Sequence, residues 1–117
     1  MNKANLVGRI TADPKIDIFE GKKRARFTVA IRRKFSKKGE NEIDYISCIA
    51  CGHNAEFIEQ HFTRGNNIVI VGEIRTRKYQ SGERMNYSTS IFVEEVSFIR
   101  SDGDFAADEG GVFDEKS

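Results

Sequence analysis

Ile68-Val69-Ile70-Val71-Gly72-Glu73-Ile74-Arg75-Thr76-Arg77-Lys78-Tyr79 is the stretch on which the reading of this chain turns. Four apolar residues run into a glycine. Arg75, Arg77, Lys78 and Tyr79 follow. A short apolar run of this kind reads as a core strand, so the cations and the ring stand where that strand leaves the core. Cations attract phosphates, and an exposed ring offers a flat face to an unpaired base. A duplex keeps its base faces inside the stack, so the combination points to a single strand.

On the N-terminal side of that stretch, strand signals dominate. Asn5–Ile10 is short and apolar, and Thr11-Ala12-Asp13-Pro14 is a turn. Ile16–Phe19 alternates loosely, and Glu20-Gly21-Lys22-Lys23 reads as a hairpin connection. From Arg24 to Lys34 the alternation is clear. Phe27, Val29 and Ile31 share one face, and Arg26, Thr28 and Arg32 share the other. Residues 36–42 form a polar loop. Ile43–Cys51 alternates little, so a central strand covered on both faces is expected. Ala55, Phe57, Ile58, His61 and Phe62 give a helical stripe over Asn54–Thr63, and Arg64-Gly65 supplies its stop. These three apolar rings and chains, Phe57, Ile58 and Phe62, are read as helix-to-barrel core. Ile68–Lys78 and Asn86–Ile99 are the last strands, joined through residues 80–84. The order is strand, strand, strand, helix, strand, strand. A single helix between the third and fourth of five strands predicts an all-β chain with an OB-fold, a five-stranded Greek-key barrel that often binds oligonucleotides.

The 117 residues make one domain with a modest core. No apolar run approaches the roughly 20 residues of a membrane helix, and the N-terminus lacks the apolar stretch of a signal peptide. The cytoplasm is therefore expected, that of a cell or of a phage-infected host. Net charge is only +1, but it is unevenly spread. Residues 1–99 hold 17 Lys/Arg against 12 Asp/Glu, a balance of +5, and residues 100–117 hold 2 against 6, a balance of −4. The body is basic. The tail, 101–117, holds three glycines and six acids without periodicity and is expected to be disordered.

Cys48-Ile49-Ala50-Cys51, with His53 and His61, has the composition of a zinc or redox motif. Residues three apart on an extended strand face opposite sides, so the two thiols should diverge, and the histidine spacing fits no common zinc pattern. No metal and no cofactor is expected. No phosphate-cradling glycine loop, acidic cluster or catalytic triad stands out, so the chain is read as a binding protein and not an enzyme.

Taken in order, Asn5-Leu6-Val7-Gly8-Arg9-Ile10, Asp13-Pro14, Phe27-Thr28-Val29-Ala30, Asp44-Tyr45-Ile46 leading to Gly52, Ala55-Glu56, Arg64-Gly65 and Val71–Tyr79 resemble the bacterial-type single-stranded DNA-binding proteins over about residues 2–99. The resemblance implies a domain over 1–100 that binds and protects single-stranded DNA without sequence preference in replication, recombination and repair. It implies assembly with copies of itself, as a homotetramer. It places base stacking at Phe35, Tyr45 and Tyr79, with a fourth stacking place falling on Cys51, which has no ring. Arg32, Arg33, Lys34, Arg75, Arg77, Lys78 and Arg84 are the phosphate candidates, with Lys37 and Lys38 behind them. Strand alternation sends Arg32 and Arg33 to opposite faces, so only a subset is expected to touch DNA. Tyr87 is read as a packing residue.

The tail departs from the family, whose members often end in an acidic peptide finishing Pro-Phe that docks replication and repair proteins. Here Phe113 is internal and the only proline is Pro14. Docking through a terminal phenylalanine carboxylate should fail. By charge alone, the tail is expected to compete weakly with DNA for the basic groove. Two other readings of the body stay open: an OB domain that binds RNA, and a replisome accessory module whose rings pack against a protein.

Overall fold

Phe27 and Val29 face inward and Arg26 and Arg32 outward in the computed structural model, as alternation predicts. The structure describes residues 1–34 and 42–99, and the backbone of 105–107 and 112–113. The elements are β1 (Ala4–Ile10), β2 (Lys15–Phe19), β3 (Lys22–Arg32), β4 (Ile43–Cys51), α1 (His53–His61), β5 (Asn67–Ser81) and β6 (Arg84–Ile99), followed by the short β7 (Phe105–Ala107) and β8 (Val112–Phe113).

Five of these strands close into a ring. β1 pairs antiparallel with β3 and with β5, β3 with β4, and β5 with β6. A parallel contact between β4 and β6, Cys48 with Ile91 and Ile49 with Phe92, completes it. With α1 between the third and fourth ring strands, this is the OB arrangement. β2 is an addition, a strand hairpinned onto β3 through Glu20-Gly21. Both turn residues take positive φ, 52° and 79°, which a two-residue type I′ turn requires.

Ile10, Val29, Ile58, Ile68, Ile70, Val93 and Val96 are the largest fully enclosed side chains, with Cys48 among them. α1 plugs one end of the ring. Ala55, Phe57, Ile58 and Phe62 are all buried there, as expected, and Phe57 packs between the rings of His61, Phe62 and Phe98 at 4.5–6.0 Å. The helix ends at His61, two residues before the expected Thr63. Phe62 is already extended, and the Asn66 side chain accepts the Thr63 N–H in a tight turn. Gly65 follows with φ 91° and donates to the Ile10 carbonyl.

Two expectations fail on burial. β4 is covered on one face only: Ile43, Tyr45 and Ser47 are exposed. The ring has an inside and an outside, and among the described residues no layer lies over the outer side of this strand. Tyr87 does not pack, being 67% exposed on a hairpin arm that runs past the ring. Most of residues 101–117 lie outside the described set, so a structureless tail remains an expectation there. Within it, the backbone of β7 pairs with Ser97–Ile99 and β8 pairs with β7.

Gly72 marks where the arm departs. The β5–β6 register shifts between Val71 and Gly72, so that β6 carries one extra residue, Glu94, in a β-bulge. Asn54 on α1 donates to the carbonyls of Val93 and Glu94 there. On the other edge, the Asn2 side chain bonds both the N–H and the carbonyl of Ile74 at 2.8 Å, closing the last ladder position before the arm.

Candidate nucleic-acid interface

The parallel β4–β6 contact is only two residue pairs long, and among the described residues these two strands pair with each other nowhere else. A groove of about 450 Å³ lies beside it. Its floor is the outer face of β3 and β4, with Arg24, Arg26 and Thr28 opposite Cys51, Ile49 and Ser47. One wall is the β1–β2 connection at Thr11–Asp13, and the other is the root of the arm, with Arg77, Ser88 and Ser90.

Registers show which side chains share this face. Directly opposed residues point to the same side of a sheet, and residues two apart on a strand do so as well. Ile49 pairs with Phe92, so the outer face continues from β4 onto β6 and then β5. It carries Tyr45 and Ser47 from β4, Phe92, Ser90 and Ser88 from β6, and Arg75, Arg77 and Tyr79 from β5. Tyr45 is 67% exposed and Tyr79 is 46% exposed. Arg84, opposite Ser81 at the tip, belongs to the same side. The tip itself is the two-residue turn Gly82-Glu83, with φ 65° at Gly82.

Among the expected site residues, Arg32, Tyr45, Arg75, Arg77, Tyr79 and Arg84 thus come together on one surface, and Arg77 lines the groove itself. Lys78 does not join them. It pairs with Tyr87 on the other side of the arm, its ammonium 5.9 Å from that ring. Lys34 is exposed just beyond β3. Phe35, Lys37 and Lys38 lie outside the described residues. Arg33 is engaged elsewhere, donating to both Asp44 carboxylate oxygens at 3.0–3.2 Å and to Glu42 at 2.9 Å. That hydrogen bonding holds the Asp44 carboxyl below its ordinary range.

Sequence reading missed Arg24 and Arg26 as site residues. Both line the groove. The signal was present, because Phe27 and Val29 facing inward turn their even-numbered neighbours outward. Arg24 donates to Asp17 through Nε at 2.9 Å and Nη2 at 2.7 Å, and Arg26 reaches the same carboxylate at 3.4 Å. The Arg24 bond is the main cause that keeps the Asp17 carboxyl below its usual range. Two arginines about one aspartate leave this end of the floor positive.

The thiols diverge as expected. Cys48 is in the core, where burial pushes its pKa up to about 12, and Cys51 is on the outer face opposite Arg24. Cys51 therefore contributes a small thiol where a ring would add stacking area.

The chain as a whole is similar to known proteins. A single-stranded DNA-binding protein of Clostridium perfringens is 44% identical over 105 residues, spanning 86% of this chain and 67% of that one. Another, from Streptococcus agalactiae, is 34% identical over 113 residues, spanning 95% of this chain and 86% of its own. A solved structure of the Plasmodium falciparum SSB in complex with ssDNA shares the fold, with TM-score 0.77 at 21% identity over 86% of this chain and 96% of that one. The model of the single-strand binding protein family matches residues 1–99, the closed ring and its arm, and to that family the chain belongs.

Proposed function

We propose that this protein binds single-stranded DNA without sequence preference and protects it during replication, recombination and repair. The observation that carries the reading is the single outer face on which Tyr45 and Tyr79 flank a groove floored by Arg26 and walled by Arg77. Stacking on the rings recognises unpaired bases of any kind, and the cations gain from counterion release along the phosphates. Phe35, Tyr45 and Tyr79 are the stacking residues in this reading. Arg32, Lys34, Arg75, Arg77, Lys78 and Arg84 are the phosphate contacts, to which the groove geometry adds Arg26. Lys78 reaches a strand only where it passes round the arm. No bond is made or broken.

The test is fluorescence anisotropy of labelled oligo-dT, matched duplex DNA and oligo-U across a salt series. Tight oligo-dT binding, weak duplex binding and a shallow salt slope are expected. Preference for oligo-U would favour an RNA ligand. Equal binding to all three that collapses with salt would reduce the face to a generic basic surface and favour an accessory module that docks on protein.

The protein is also proposed to act as a homo-oligomer, a tetramer. In support, Val7 is 55% exposed on the outer side of β1 and pairs across strands with Val69 on β5, away from the groove. Light scattering that returns the 13.3 kDa mass of one chain would end that part of the proposal.

A further inference from the structure

Beyond the tyrosines, the far end of the groove holds an arrangement of a different kind. Phe19, Asp17 and Lys15 on β2 pair with Lys22, Arg24 and Arg26 on β3, so all six stand on the outer face. The Arg24 guanidinium lies 4.5 Å from the centre of the Phe19 ring. Its Nε and Nη2 donate to the two oxygens of Asp17. Arg24 lines the groove, with its side chain 21% exposed, and Phe19 is 48% exposed.

A free guanidinium on a basic surface would serve a phosphate. Here two of the three nitrogens are committed to a carboxylate that also offsets the charge, and one planar face is backed by a ring. What remains is Nη1 at the rim and the other planar face. We propose that Arg24, backed by Phe19 and fixed by Asp17, is a base-stacking platform that extends the binding face beyond the tyrosines. The inference rests on the reading of this face as a surface for single-stranded DNA.

Guanidinium planes stack on aromatic faces and on bases alike. Phe19 orients the plane by cation–π contact, and Asp17 prevents it from rotating toward passing phosphates. A related construction occurs again on this face, with one hydrogen bond to the carboxylate instead of two, so that this second arginine combines a plane with its reach to phosphate. The Arg75 guanidinium lies 3.8 Å from the centre of the Phe92 ring and its Nε donates to Glu73 at 2.6 Å. Two ring-backed, carboxylate-fixed guanidinium planes on one surface of a chain without tryptophan supply flat area that its aromatic residues alone do not.

The experiment compares labelled oligo-dT with an abasic deoxyribose-phosphate oligomer of equal length, using wild type, Arg24→Lys and Phe19→Leu. Lysine keeps the charge and still reaches Asp17 but has no plane. Leucine keeps apolar bulk on an exposed hairpin and leaves the ion pair alone. Arg24→Lys is expected to weaken oligo-dT binding by about fivefold or more, the lower end of one lost stack. Affinity for the abasic oligomer and the salt slope should not move. Phe19→Leu should change oligo-dT binding in the same direction by a smaller factor. If wild type prefers oligo-dT yet Arg24→Lys leaves both affinities alone, or lowers both equally, Arg24 is not a platform. If wild type itself shows no preference for oligo-dT over the abasic oligomer, the reading of the whole face falls, and this inference with it.

Discussion

Alanine at Tyr45 and Tyr79 together is expected to weaken oligo-dT binding by roughly a hundredfold, from about 1–3 kcal/mol for each lost stack and about 1.4 kcal/mol per factor of ten. The two rings come from different strands, β4 and β5, but registers place both on the outer face. Each is exposed, so truncation removes a contact surface without opening a cavity in the core. The salt slope should stay near that of wild type, because no charge is lost. Tyr87→Ala is the internal control. Tyr87 is as exposed as Tyr45 but lies on the opposite side of the arm, beside Lys78. It should change affinity less than about threefold, a small part of one stack. Equal losses at Tyr79 and Tyr87 would mean that the strand does not keep to the groove face, and the assignment of that face would have to be abandoned.

Gly72→Ala should produce a large loss of stability from a single added methyl. A Cβ at residue 72 would lie 2.3 Å from the Phe92 carbonyl oxygen and 2.9 Å from the Ile91 side chain. The first of these neighbours is backbone in the adjacent strand and cannot rotate away. Overpacking of this kind costs about 3 kcal/mol, at the upper end of its usual range. For a domain of this size that lowers the thermal midpoint by roughly 12–24 °C. Gly21→Asn is the comparison, since nothing stands within 4 Å of a Cβ there and asparagine tolerates its positive φ. A Gly72→Ala protein that melts within a few degrees of wild type would show that the bulge relaxes freely. The position also bears on binding. Gly72 sits where the register of the arm is set, and a slip of one residue would exchange the Arg77–Tyr79 side of the arm for the Lys78 side.

Much of the fold was legible because its signals are local. Phe27, Val29 and Ile31 alternate within one strand, and Ala55, Phe57, Ile58 and Phe62 repeat within one helix, so each announces its buried side without help from the rest of the chain. The closure of the ring was not legible in the same way. Cys48–Ile49 meets Ile91–Phe92 across the helix and the whole of β5, and nothing in either dipeptide marks the other as its partner. The site divides along the same line. Tyr79 and Arg77 stand out because ring and cation are neighbours in sequence. Arg24 does not stand out in the sequence because its ring, Phe19, is across a hairpin. Adjacency groups Lys78 with Arg77, and period-two alternation separates them. The expectation that β4 is covered on both faces mistook an apolar composition for a two-sided environment, when Ile43, Tyr45 and Ile49 are the floor of an open surface.

From Arg75 outward, β5 and β6 pair only with each other, so the arm has two strand edges with free hydrogen-bonding groups. Such edges invite a second chain to add itself as another strand, and proteins guard them with charge. Arg75, Arg77, Lys78 and Arg84 are therefore sentries against arm-to-arm pairing, apart from anything they do for a polyanion. A variant stripped of these cations to weaken binding would also be stripped of that protection. Precipitation of such a variant would report unguarded edges, not a barrel that had failed to form.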